Sequence, residues 1–260
     1  MISLTIILPT YNEKSNLEIL LPEILSTSWP VDIKVLVVDD NSKDGTNAYV
    51  DSVSSLDKRV QIQVRESAPS LPLSIWDGVK SSKSDFVAWL DADCSMPIND
   101  LLNLVCTCID QKLDGVVGSR FCEGGGFKGL NLVGKTSLPQ FYRNVRTSKD
   151  SIVAILLSRL LNVFLRLVLR AGVKDMTSGF FVVRKSFIEE KDFVASYGDY
   201  CPVLIRRLSR RGAKLKEVGY ICIPRMYGES KTGSTIMQYL LRGFPYIWRS
   251  LIEILPLRSR

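Results

Sequence analysis

Two carboxylates separated by one small residue close an apolar run, Phe86-Val87-Ala88-Trp89-Leu90-Asp91-Ala92-Asp93. Residues i and i+2 of an extended segment point the same way. Asp91 and Asp93 can therefore converge on one point past a strand end, where Ala92 leaves room for a ligand. Two hard oxygen donors with open positions suit Mg2+ or Mn2+ held jointly with substrate phosphates. An isolated D-x-D is more often a solvated turn with an Asp cap. This one has company, at Glu13 and at Asp39-Asp40. The chain has no histidine. That excludes Ser-His and Cys-His catalysis and any His-based metal site.

The elements that must position these groups alternate along the first half of the chain. Leu4–Leu8 reads as a strand stopped by Pro9, and Asn12 as the cap of a helix through Leu17, Leu20, Leu21 and Ile24. Strands at Ile33–Val38, Val60–Val64 and Phe86–Leu90 alternate with helices over 47–56, 74–82 and 99–111. Gly115–Arg120 is a further strand, delivering an arginine at its end. Such alternation predicts an α/β fold with a doubly wound, mainly parallel sheet. Ligands of these sheets bind beyond the C-terminal strand ends. Glu13, Asp39, Asp40, Asp91 and Asp93 all fall at that edge. Later in the chain, 122–150 reads as a Gly- and Arg/Lys-rich lid loop and Asp175–Gly179 as a turn. A basic helix over 199–211 and a strand over 217–223 follow.

The net charge of +7 conceals an asymmetry. Residues 1–118 carry 9 Lys/Arg against 17 Asp/Glu, whereas residues 119–260 carry 25 against 10. An acidic half suits a metal; a basic half suits a polyanion, such as nucleic acid, a membrane surface or a lipid phosphate. Nucleic acid is disfavoured, because no aromatic side chains interleave with the basic cluster at 206–216 as a base-stacking platform requires. The six cysteines form no CxxC pair and no secretory leader is evident, so the expectation is reduced thiols in the cytosol.

Six motifs in order carry a resemblance: PTYNE at 9–13, DDNSKDGT at 39–46, LDADCSMP at 90–97, GSRF at 118–121, DMTSGF at 175–180 and RMYGESK at 225–231. The chain resembles the polyprenyl-phosphate sugar transferases of GT-A fold, in particular their dolichol-phosphate mannosyltransferase branch. The resemblance implies a catalytic domain over 1–235, with a donor and metal half at 1–118 and an acceptor half at 119–235. An amphipathic tail then covers 236–260. It implies that Pro9, Tyr11, Asn12 and Glu13 line the nucleotide pocket and that Asp39 and Asp40 contact base and ribose. Asp91 and Asp93 would hold Mg2+ or Mn2+ on the diphosphate, and Arg120, Arg225, Ser230 and Lys231 would receive the acceptor phosphate. The implied donor is GDP-mannose and the acceptor dolichyl or another polyprenyl phosphate, with inversion at the anomeric carbon. The sequence departs from the pattern at Ser70-Leu71-Pro72-Leu73, where a Gly-rich run is usual, at Met96 and Phe181, and at Val203, near which Asp199 is the closest acidic residue.

A lipid monophosphate is already anionic and needs no general base, in keeping with a histidine-free chain. UDP-glucose as donor is the alternative within the same fold. A processive glycan-elongating transferase is disfavoured by the missing Q-x-x-R-W motif. Ile152–Leu169 is 18 residues long but contains Arg159 and Arg166, and the tail from Ile236 repeats the pattern with Arg242, Pro245 and Arg249. Arg159, Asn162, Arg166 and Arg170 form one polar stripe at helical spacing. Both segments are expected to lie in the headgroup region of a membrane. The competing reading of 152–169 is a core helix with an exposed arginine stripe. The expected location is peripheral, on the cytosolic face of the endoplasmic reticulum or plasma membrane, with small membrane-anchoring subunits as candidate partners.

Overall fold

A computed structural model describes residues 2–127, 130–131, 152–223, 225–227 and 236–255. Its main sheet contains β1 (Ser3–Thr10), β2 (Asp32–Asp39), β3 (Val60–Val64), β4 (Phe86–Trp89), β5 (Gly115–Ser119), β8 (Phe181–Arg184) and β9 (Leu215–Gly219). Their order is β3-β2-β1-β4-β8-β5-β9. All run parallel except β8, which is antiparallel to both β4 and β5. The order reverses between β1 and β4, so the crevice beyond their C-terminal ends is the ligand-binding position of a doubly wound sheet. A small second sheet joins β10 (Ile221–Cys222), β6 (Gly126–Phe127) and β7 (Leu130–Asn131).

Alternation along the buried strands builds two apolar layers. Leu4, Ile6 and Leu8 face α1 (Lys14–Ser26), α2 (Thr46–Leu56) and α4 (Ile98–Asp110). Ile7, Val87 and Trp89 face α3 (Leu71–Ser81), α5 (Ile152–Leu169) and α6 (Tyr200–Arg210). Trp89 stacks on Phe181 with ring centroids 4.9 Å apart and donates its indole N–H to the Tyr200 hydroxyl at 2.9 Å. Helix α7 (Ile236–Ile254) lies against α5 and α6, tied by Arg207–Glu253 at 2.7 Å and Arg249–Asp199 at 2.7 Å. All six cysteines are free thiols.

Several sequence expectations shift. β1 runs through Pro9 to Thr10 instead of stopping at Leu8. The Thr10 carbonyl accepts from the Asp40 N–H of the β2 side, so the Pro9 nitrogen faces the β4 side, where pairing has ended at Ile7–Trp89. No donor is missed there. Helix α3 starts at Leu71, with Pro72 in its first turn, where a missing N–H is tolerated. The expected strand over 217–223 breaks at Tyr220, whose N–H bonds the Ser119 carbonyl as the chain crosses to the small sheet. Strand β8 had no counterpart in the sequence reading. The lid loop expected over 122–150 lies mostly outside the described residues.

Helices α5 and α7 leave large apolar side chains uncovered. On α5 these are Leu156, Leu160, Val163, Phe164 and Leu167, the last 71% exposed. On α7 they include Leu241, Phe244 and Trp248. Arg159, Arg166 and Arg170 border the α5 face, as the stripe predicts, but Asn162 does not share it: it is 2% exposed and turned inward. Among the described residues, no helix is long and apolar enough to cross a membrane.

Candidate active site

Three turns meet at the C-terminal edge of β1, β2 and β4. Each contains a non-glycine residue in the left-handed region: Asn12 (φ 57°), Asn41 (φ 60°) and Cys94 (φ 61°). Asparagine adopts this backbone at lower cost than most residues; for Cys94 it marks strain of the kind found at functional turns. Asn12 is therefore no helix cap. Its side chain accepts the Lys43 N–H at 2.8 Å and its own N–H bonds the Ser42 hydroxyl at 2.7 Å, joining the β1 turn to the β2 turn. The Glu13 and Lys14 amides add bonds to the Thr46 hydroxyl and the Asp44 carboxylate.

Asp39 and Asp40 point into this framework. Asp39 is fully buried and accepts from the Ser42 amide and hydroxyl and from Thr10. Asp40 accepts from Arg65, from the Ser74 hydroxyl at 2.9 Å and from the Ser70 N–H at 2.8 Å. Arg65 also pairs with Asp77 at 2.7 Å. Both carboxylates thus brace the turns that follow β1, β2 and β3. Ser70, at the departure from the Gly-rich pattern, belongs to that network. Pro9 is half-buried and Tyr11 is 38% exposed on the same edge.

The D-x-D turn faces a segment from the far end of the chain. The Ile223 and Met226 amides bond the Ser95 and Asp93 carbonyls, and the Tyr227 amide bonds the Asn16 side chain at 3.2 Å. These contacts lay Arg225 over the carboxylates. Its Nε and Nη2 donate to Asp93 Oδ2 at 3.1 and 2.9 Å, and Nη1 lies 3.7 Å from Glu13 Oε1. Glu13 also accepts from Asn16 Nδ2 at 2.6 Å. The Asp91 carboxyl is pushed up to about 7, first by burial and then by the adjacent Asp93 charge, with Glu13 adding to the effect and Arg225 opposing it. Hard oxygen donors whose ionised forms repel each other fit a divalent cation. Among the described residues no third acidic or cysteine side chain completes a protein-only metal site.

Arg120 leaves the end of β5 and meets the turn that precedes β8. Its Nε and Nη2 fork the Asp175 carboxylate at 2.8 Å each, its amide bonds the same group, and Nη2 reaches the Thr177 hydroxyl at 2.9 Å. The approach needs Gly118, because a Cβ there would fall 2.5 Å from the Phe180 ring. Ser230 and Lys231 lie outside the described residues. Sequence reasoning missed Tyr197, which lies in the combined field of Asp91, Asp93, Arg225 and Arg242. Its loop is set by Asp199, which accepts the Tyr197 N–H at 2.7 Å and pairs with Arg249 of α7. No local sequence signal marks it, since the charges that act on it come from three distant segments.

An α/β sheet with paired carboxylates at its switch point and an arginine laid across them has the architecture of a nucleotide-sugar transferase. The chain belongs to glycosyl transferase family 2, which it matches over residues 5–190. It is 30% identical, over 91% of its length, to the dolichol-phosphate mannosyltransferase of Pyrococcus furiosus, and spans 61% of that protein. It is also 30% identical, again over 91% of its length, to the polyprenol monophosphomannose synthase of Mycolicibacterium smegmatis, spanning 84% of it. Among solved structures, glucosyl-3-phosphoglycerate synthase of Mycobacterium tuberculosis with UDP aligns over 96% of this chain and 79% of that one, at TM-score 0.64 and 15% identity. The mannosyltransferase PcManGT of Pyrobaculum calidifontis, in complex with GDP-Man and Mn2+, aligns over 97% and 70% at TM-score 0.55 and 15% identity. These structural likenesses establish the shared GT-A fold.

Proposed function

We propose that this protein transfers mannose from GDP-mannose to the phosphate of dolichol or another polyprenol, with inversion, at a membrane surface. The reading is carried by the meeting of Asp91, Asp93 and Arg225 at the switch point, and it is supported by the activities for which the two 30%-identical relatives are named. Asp91 and Asp93 would hold Mg2+ or Mn2+, which when bound stabilises the departing nucleoside diphosphate; a neighbour of the same fold was crystallised with GDP-Man and Mn2+. Glu13, with Pro9, Tyr11 and Asn12, would line the donor pocket that Asp39 and Asp40 shape. Arg225 and Arg120, with Ser230 and Lys231, would orient the acceptor phosphate, an anion that repels the donor's diphosphate. The uncovered faces of α5 and α7 would rest on lipid and receive the polyprenyl tail, with the arginines on anionic headgroups. The same surface is where a small membrane subunit would attach.

The test is a donor screen. Purified protein, Mn2+ or Mg2+, and a short polyprenyl phosphate are incubated with GDP-mannose or UDP-glucose. Lipid-linked mannose is the expected product. Glucose transfer would correct the donor, and no transfer from either would overturn the reading.

A further inference from the structure

Asn162 projects inward from the otherwise lipid-type helix α5, and its partners lead to the acceptor side of the site. Asn162 Oδ1 accepts the Met176 N–H at 2.7 Å and the Thr177 N–H at 3.2 Å. Its Nδ2 donates to the Ser158 carbonyl at 2.8 Å and to the Thr177 hydroxyl at 3.0 Å. That hydroxyl also receives Arg120 Nη2 at 2.9 Å. Asp175, which forks Arg120, is held in turn by its own N–H on Glu217 Oε1 at 2.9 Å. Asn162 and Asp175 are both buried. One hydroxyl thus stands between the helix that exposes Leu160, Val163 and Leu167 and the arginine at the end of β5.

We propose that Asn162 and Thr177 are positioning residues that couple the seating of α5 on lipid to the orientation of Arg120 for the acceptor phosphate. The coupling rests on the acceptor reading given above. A buried amide with both ends satisfied passes a shift of its helix to its partners, because breaking either end leaves an unpaired polar group. Seating α5 orders the Met176 and Thr177 backbone, and Thr177 adds a third anchor to the guanidinium that Asp175 forks. The turns at α1 and α2 that shape the donor side take no part in the hydrogen bonds named above.

The decisive variant is Thr177→Val, which keeps shape and removes only the hydroxyl. Thr177→Ser restores it. Acceptor KM is expected to rise about tenfold in the Val variant, the loss of roughly one charge-assisted hydrogen bond. Donor KM should stay put. The melting temperature should fall in the Val variant, because Asn162 Nδ2 and Arg120 Nη2 both lose an acceptor, and the Ser variant should recover both acceptor KM and melting temperature. An equal fall in all kinetic constants would mean a purely structural role and overturn the proposal. A second readout needs no turnover: amide exchange at Met176 and Thr177, with and without vesicles containing anionic lipid. Slower exchange on vesicles is expected in the wild type. Vesicle binding with unchanged exchange would overturn the coupling while leaving the transferase reading intact. Slowed exchange in a protein that transfers no sugar to polyprenyl phosphate would do the reverse.

Discussion

Asp91 titrates near 3.8 in an unfolded chain, whereas burial and the Asp93 charge push it up to about 7 in the folded one. Between these values the native state holds a proton that the unfolded state has lost. This group's contribution to stability is therefore fully present below about pH 4 and is lost as pH rises towards 7. Melting curves of chelator-treated protein across that window, compared with Asp91→Asn, should show the difference between the two growing as pH rises, with Asn the more stable near neutrality. Parallel curves would remove Asp91 from the account. Mn2+ should raise the melting temperature of the wild type at pH 7 and do little for the variant. Replacing Asp93 by Ala should lower transfer by ~100-fold or more, the scale for loss of a group that stabilises developing charge. Full wild-type activity in chelator would dismiss the metal role of both. Arg225→Lys keeps the charge but loses the planar fork. Acceptor KM should rise about tenfold, equivalent to ~1.5 kcal/mol for one charge-assisted bond, with donor affinity little changed. An equal loss of nucleotide-sugar binding would assign Arg225 to the donor.

Helices α5 and α7 are the elements that, under the proposed function, would meet lipid. Glu at both Arg159 and Arg166 should weaken flotation with anionic vesicles, each arginine near a charged surface contributing ~1 kcal/mol; a protein that stays in the soluble fraction whatever the lipid would end the membrane reading. The same elements show where sequence reading succeeds and where it stops. The strand-turn-helix alternation of the first half was legible because each apolar run ends in its own turn residues, and this local grammar put Glu13, Asp91 and Asp93 on one edge. Asn162 was misplaced because it sits only about 40° from Arg166 on the helical wheel, and the boundary between exposed and buried faces falls between them. That boundary is drawn by Met176 and Thr177, from outside the helix. β8 escaped notice for a related reason. Phe181–Arg184 is four residues long, and nothing in FVVR states a direction; the return path after α5 makes it antiparallel. The meeting of Arg225 with Asp93 spans 132 positions and was not foreseen, because the motif resemblance implied the acceptor phosphate for Arg225 and the metal for Asp93 without bringing the two together.

At the scale of the whole molecule, β8 joins the two stretches, 1–118 and 119–235, proposed as donor and acceptor halves. It fills the gap between β4 and β5, paired on both sides, so neither half carries a finished sheet. A fragment ending at residue 120 should expose one edge of β4 and both edges of β5 and sediment as aggregates; a monomeric fragment that still binds GDP would show the donor half to be independent. The same wedge has a consequence during synthesis. β5 ends at Ser119 and β8 begins at Phe181, a delay of about 3–12 s at ribosomal speeds of roughly 5–20 residues per second. For that interval the nascent chain presents β4 and β5 as open edges, with the apolar α5 emerging before the strand that closes them. The ribosome thus delivers the sticky parts first and the closing piece afterwards, an order that leaves edges and apolar surface open to aggregation until Phe181–Arg184 has emerged.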